Sequence, residues 1–365
     1  MASRRQSRRA PYRRAQLQAR RRAAALGRAA VLAVRRAVEE YADLIARQVA
    51  NLPQSEILRI QAGTSTFNVG QTASRRLGFS ILKITEQGRA LTFAEVYAIW
   101  SETAIKIAKM EGLDPALLGA IRNPPLTMLG AYEGLGHPST SWRSLIPEYA
   151  RAAGDDVDQI VTRAIAEGIG PDKLARRLRP YVKGAEPFNK ALGPLLKEQG
   201  INLSTFRGTF SDSARQMVHN SSRIAFSELH NTRGEAEAQS FALDPMVRTV
   251  AWRLAPDRGT LSGPDECDAL AFSDFYGLGP GVYPVSDVPS PPHPWDRCER
   301  VPNVGTAEQA GQPKPLPARS GGGANARFGR RMSAAESSRM RDRVDSHLQA
   351  TDAVNSRLRA LIAAT

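Results

Sequence analysis

Of the chain's formal charge of +14, all but +2 is carried by its first 36 residues, which hold twelve arginines, no lysine and no acid. Guanidinium groups at this density cannot enter an apolar interior, so the fold must be built mainly by the nearly neutral residues that follow. The chain is 365 residues long, enough for one large domain or two ordinary ones. A hydrophobic content of 42% can support a core, and with only 6% aromatic residues that core is expected to be aliphatic and alanine-rich.

An acid-free arginine segment has few uses. Its planar forks bind phosphate oxygens and release condensed counterions, which gives sequence-independent, salt-sensitive affinity for nucleic acid. Arg4, Arg5, Arg8, Arg9, Arg13, Arg14, Arg20, Arg21 and Arg22 are therefore the candidate nucleic-acid contacts. An anionic membrane surface, a mitochondrial presequence and a solvated tail with no particular partner are the competing readings. Such a segment is expected to be a disordered arm that orders on binding. No run approaches the roughly 18 apolar residues that span a bilayer. Arg28, Arg35 and Arg36 interrupt and end the alanine-rich stretch 23–34, against a secretory signal, so a soluble protein is expected. Two cysteines, Cys267 and Cys298, suit a reducing compartment rather than a disulfide framework.

Along the chain, Val34, Val38, Tyr41, Ile45 and Val49 recur at helical spacing and predict an amphipathic helix ending before Pro53. Thr92 and Glu95 read as a capping box opening a helix through Met110. A short helix starts at Asp114-Pro115, and residues 134–141 read as a loop. A helix over 155–167 is closed by Gly168, and the next begins at Pro171 and ends before Pro180. Residues 211–241 read as a long helix, and 247–254 as a strand. Residues 255–302 are rich in Gly, Pro and Asp and read as loops; 303–330 reads as a linker. Val344, Leu348, Leu358, Leu361 and Ile362 suggest a final helix that, with residues 31–50, is a candidate protein-docking element. The expected fold is α+β and predominantly α-helical, with a small β element and loop-rich segment near 247–302, the arm, and a linker-tethered C-terminal helix. The expected divisions are 1–36, 37–150, 151–302, 303–330 and 331–365.

Between Trp252 and Arg300 lie Asp257, the run Asp265-Glu266-Cys267-Asp268, and the run Pro291 to Cys298. Cys267, His293, Asp296 and Cys298 could supply a zinc site of mixed ligands, although no Cys-x-x-Cys pair is present. Two buried thiols are the alternative.

Four features in this stretch occur in a recognisable order: the helix Arg223-Ile224-Ala-Phe-Ser227-Glu228 followed by Ala236 and Ala238; the strand with Trp252; the loop with Cys267; and the finish His293-Pro294-Trp295-Asp296-Arg297-Cys298. The order resembles the C-terminal domain of the phage Mu F-like head morphogenesis family, and Ile165 to Leu178 is similar to the helix-turn-helix that precedes it. The resemblance covers roughly residues 155–302. Two thiolates usual in that family are replaced here, by Leu270 and Asp296. What remains is expected to have a packing role, with Trp295 and Pro294 pinning the terminal loop onto the strand.

The resemblance implies a non-enzymatic minor head protein of a tailed bacteriophage. Its partners would be the portal or the major capsid protein, with packaged double-stranded DNA on the basic segment. It would have no membrane partner during assembly and no small-molecule substrate, and would reside in the host cytoplasm during assembly and then in the virion, in the head interior or at the portal vertex. The competing expectation is a metal-dependent nuclease built on Cys267, His293, Asp296 and Cys298, with Glu228 as general base and His293 or Asp257 as its partner. Arg223 and Glu228 otherwise read as structural, and His230 as exposed.

Overall fold

The computed structural model describes residues 2–122, 142–207, 213–255, 265–289, 298–310 and 312–315, with positions 339, 342–346, 348, 349, 356 and 359. In chain order the elements are α1 (Ala2–Ala50), α2 (Gln54–Gln61), α3 (Val69–Met110), a 3-10 turn (Pro115–Leu118), α4 (Gly119–Arg122), α5 (Trp142–Ala166), α6 (Pro171–Val182), α7 (Phe188–Ala191), α8 (Gly193–Glu198), α9 (Leu203–Arg207) and α10 (Ser213–Leu243). Then come β1 (Val247–Arg253), α11 (Glu266–Phe272), β2 (Val282–Pro284), β3 (Glu299–Val304) and α12 (Ala307–Ala310). The protein is thus predominantly helical with one small antiparallel sheet, the α+β class that the sequence suggests. It divides into two compact units: residues 1–26, 89–138 and 227–365 form unit 1, and residues 27–88 and 139–226 form unit 2. Both draw on non-consecutive stretches, a division that boundaries in chain order do not express.

The basic segment departs most from expectation. It is helical from Ala2, and from Tyr12 onward one side of α1 is buried. Tyr12, Gln16, Ala19, Ala23, Gly27, Ala30, Val34, Val38, Tyr41, Ile45 and Val49 are all buried, at steps of four, three, four, four, three, four, four, three, four and four. This eleven-residue rhythm averages 3.67 residues per turn, close enough to 3.6 to keep the buried stripe on one side of the helix. From Arg13 onward the arginines occupy the remaining circumference. Disorder is not required, because the side chains on the buried face are mostly small or aromatic and leave the guanidinium groups from Arg13 onward in water or on surface acids.

In unit 2 the second half of α1 packs its Val/Tyr/Ile stripe with Leu77 and Ile81 of α3, Ile146, Val157 and Ile160 of α5, and Leu174, Leu178 and Tyr181 of α6. The body of this unit, rather than another protein, therefore covers the stripe read from 34 to 49. Helices α3 and α5 cross at glycines. A Cβ on Gly154 would lie 2.6 Å from Ser74 Oγ and 2.8 Å from the Gly70 carbonyl oxygen, so the two backbones are closer than side chains allow. Helix α5 starts at Trp142, upstream of its expected start, and runs through Pro147 with a continuous buried face. Gly168, at φ +83°, turns the chain into α6, whose first residue is Pro171, so the two-helix unit read from 165–178 is present. Helix α6 continues through Pro180 to Val182 rather than stopping before the proline. In its last turn, that ring removes a single hydrogen bond.

The start of α3 is capped from a distance. Asp158 on α5 accepts hydrogen bonds from the backbone N–H groups of Gly70 (2.6 Å) and Gln71 (3.0 Å). Burial pushes its pKa up to about 6, against the pull of those two donors. The folded value lies above that of an unfolded aspartate, so the folded protein binds more protons between about pH 4 and 6. Stability from this group is complete below about pH 4 and is lost as pH rises through 6. On acidification from pH 7 to pH 5, wild-type melting temperature is expected to improve relative to Asp158→Asn. Parallel melting curves across that range would show an ordinary carboxylate instead.

Unit 1 has two apolar clusters. The first joins Tyr12, Ala19 and Ala23 of α1 to Phe93, Val96 and Trp100 of α3, Phe241 of α10 and Val250 of β1. The ring of Trp100 meets Phe241 edge-on at 4.7 Å. Thr92 is not a cap: α3 runs unbroken across it, and its side chain is buried in the helix interior. The cap-like spacing is overridden because the buried face continues upstream through Leu77 and Ile81.

The sheet has the order β2-β1-β3, with both outer strands antiparallel to β1. Residues 255–302, read as loops, thus contribute two strands and α11. Asp265 caps α11, accepting from the N–H groups of Cys267 and Asp268, while Asp268 accepts from the Asp265 N–H. The second cluster gathers Trp252, Cys267, Leu270, Tyr276, Tyr283 and Cys298 with Val344 and Leu348. Positions 342–346 are helical, and the two described apolar residues of this final segment dock on their own chain. Arg343 pairs with Glu266, and Arg359 with Asp287. Leu358, Leu361, Ile362 and the loop read at 134–141 lie outside the described residues.

Candidate nucleic-acid interface

Within unit 1, α1 is held by polar contacts as well as by its small residues. The Tyr12 hydroxyl donates to Asp244 Oδ2 at 2.6 Å, and Gln16 Nε2 donates to the Arg300 carbonyl at 3.3 Å. Asp244 ends the long helix α10 and also accepts from the N–H of Met246 at 2.9 Å. Burial pushes the Asp244 carboxyl up, with the Tyr12 hydrogen bond and nearby Lys314 acting against it. Lys314 Nζ donates to the carbonyls of Phe241 (3.2 Å), Ala242 (2.5 Å) and Asp244 (2.9 Å), closing the C-terminus of α10 with a cation. Burial lowers its pKa to about 8.

This anchoring sorts the candidate arginines. Arg20 pairs with Glu299 next to the sheet. Arg22 grips Glu95 with two nitrogens, the Nη2–Oε1 distance being 2.6 Å, and Glu95 is held below the usual carboxylate range by that hydrogen bond. Arg13, Arg14 and Arg21 are exposed and meet no acid among the described residues. Arg14 and Arg21 are seven residues apart, two helical turns, and so share a face about 10 Å apart along the axis. The side chains of Arg4, Arg5, Arg8 and Arg9 lie outside the described residues. In unit 2, α1 also exposes Arg28, Arg35 and Arg36. Burial decides which arginines are available, and composition alone carried no signal of it.

Residues singled out by their motif order fall in different places. Arg223 is an exposed residue of unit 2. Glu228 belongs to unit 1, is buried, and faces Arg89 Nε at 3.8 Å. Thr232 Oγ1 bridges them, accepting from Arg89 Nε at 3.3 Å and donating to the Glu228 carbonyl at 2.7 Å. Glu228 therefore serves a buried ion pair 139 residues distant in sequence, not one with Arg223. His230 is half-buried rather than exposed, its Nε2 3.4 Å from Arg233 Nη2.

One turn further, α10 carries a cluster that sequence reading missed. Glu237 is fully buried, with Arg233 Nε at 3.7 Å, and burial pushes its carboxyl up against the pull of Arg233, Arg300 and Arg20. Arg300 of β3 stands close to both Gly234 and Trp252. A Cβ at position 234 would meet its Nη1 at 2.4 Å, and its guanidinium carbon is 5.7 Å from the centre of the Trp252 ring. The motif tryptophan is thus a platform for a buried cation. Its counterpart Trp295 is outside the described residues.

Cys267 and Cys298 share the aromatic cluster of unit 1, but His293, Asp296 and Asp257 lie outside the described residues. Among the described residues no three His, Cys, Asp or Glu side chains group as metal ligands. The nearest acids to Cys267 in sequence are engaged elsewhere, Asp265 and Asp268 in the cap of α11 and Glu266 with Arg343. The described donors therefore do not make a zinc set by themselves. Among the described residues, no helix is long and apolar enough to cross a membrane.

No family model, curated protein or solved structure matches the chain.

Proposed function

We propose that this protein is a minor head protein of a tailed bacteriophage, acting in head assembly near the portal and contacting packaged double-stranded DNA through α1. The observation that carries the DNA contact is the sorting of arginines on that helix: Arg20 and Arg22 tie it down, while Arg13, Arg14 and Arg21 face solvent without acidic partners among the described residues. Cations held on a packed helix can neutralise phosphates with little ordering cost, and they carry no base readout. The head-assembly part rests on the resemblance of motif order over residues 155–302. On this reading the portal or the major capsid protein is the protein partner, in the host cytoplasm during assembly and then in the virion, and the protein is not an enzyme.

Quantitative mass spectrometry of purified particles tests the assembly role, with metal content measured on the isolated protein alongside. A low, constant copy number per particle is expected. Absence from particles, or one tightly held metal per chain together with DNA cleavage, would move the assignment to the nuclease.

A further inference from the structure

The first part of α3, residues 69–85, repeats on a smaller scale the charge pattern of the N-terminus: Arg75, Arg76 and Lys83 are present and no acid is. All three are exposed, and none pairs with an acid among the described residues. Between them stands Phe79, 78% exposed, the most exposed large hydrophobic residue described. Arg75 and Arg76 lie one turn before Phe79 and Lys83 one turn after it, so the four share a face. That face is held rigidly. Ala73, Leu77 and Ile81 on the other side are core residues, and Gly78 brings the backbone against α5, where its Cβ would stand 3.3 Å from Ala150 Cβ. Nearby acids do not cancel the charge: Glu86 is paired with Arg143, and exposed Glu148 on α5 is followed one turn later by exposed Arg151.

We propose that this face of α3 is a binding site for single-stranded nucleic acid. Phe79 stacks on an unpaired base, and Arg75, Arg76 and Lys83 neutralise the phosphates on either side. An aromatic ring amid unpaired cations suits a strand whose bases are open. A duplex keeps its base faces stacked and offers the ring nothing to meet. A membrane surface calls for a broad apolar face, whereas the exposed neighbours of Phe79 here include Thr72 and Ser80. Protein hot spots lie in apolar, water-excluding surroundings, and this ring is ringed by charge. The site stands on residues of unit 2 alone and does not depend on the α1 reading.

The test uses the full chain, with a thymidine homopolymer and a duplex of equal length at matched salt. Phe79→Ala is expected to weaken homopolymer binding about tenfold, within the range for loss of one stacked base, and to leave duplex binding unchanged. Phe79→Trp should restore affinity, its indole emission falling as the homopolymer is added. Both variants are repeated with Arg13, Arg14 and Arg21 changed to glutamine, so that α1 cannot mask the effect. Because Phe79 is exposed, thermal melting should be unaltered. Unchanged homopolymer affinity in Phe79→Ala, or equal losses for both nucleic acids, would overturn the proposal. So would an indole that ignores the homopolymer and responds to phosphatidylserine vesicles.

Discussion

If α1 contacts DNA as proposed, changing Arg13, Arg14 and Arg21 together to glutamine is expected to lower affinity for duplex DNA by about a hundredfold to a thousandfold at ~0.1 M salt. Each lost phosphate contact removes roughly 0.9 from the slope of log K against log salt, and at this concentration that amounts to nearly a factor of ten per contact. The slope should therefore fall by about 2.7 units, with no change in preference among DNA sequences. Stability should change little, since the three side chains are exposed and support no ion pair among the described residues. Filter binding across a salt series measures both quantities. An unaltered slope would mean that DNA, if bound, is held elsewhere on the chain.

Arg300→Leu is expected to destabilise the protein by about 2–3 kcal/mol at neutral pH. The substitution removes one of the cations that offset the burial of Glu237 but leaves its ion-pair partner Arg233, at 3.7 Å, in place, so the buried carboxylate is only partly compensated. It also removes the guanidinium that stands close to Gly234 and the Trp252 ring. Burial already pushes the Glu237 carboxyl above its ordinary value, so its ionised form lowers stability as pH rises through that value. The deficit of Arg300→Leu should therefore shrink on mild acidification, as the carboxyl takes up a proton. Urea melts at two pH values test both parts. A variant within about 1 kcal/mol of wild type at neutral pH would show that Arg233 and Arg20 suffice for Glu237.

The second half of α1 was legible because Val34, Val38, Tyr41, Ile45 and Val49 are large and regularly spaced. Its first half was not, because the buried face there is mainly alanine and is crowded by arginines. Alanine is compatible with either side of a helix, so hydrophobic periodicity loses contrast. The outer strands were hidden for another reason. Strand β2 has three residues and includes Pro284, while β3 contains Pro302, and proline argues against a strand unless that strand lies at an edge. Order within the sheet, which places both at edges, is a tertiary fact. Glu228 was visible as a candidate, but its partner Arg89 lies in another helix, and spacing along α10 could not indicate it.

Unit 1 closes around the two ends and the middle of the chain, which has a consequence during synthesis. Tyr12 leaves the ribosome 232 residues before Asp244, the acceptor of its hydrogen bond. At about 5–20 residues per second, that is a delay of roughly 10–50 s. Through this interval the basic helix is without the α10 terminus and the sheet edge that later hold it. The nascent chain thus carries its most cationic segment without those later partners, beside the polyanionic RNA of the translating ribosome.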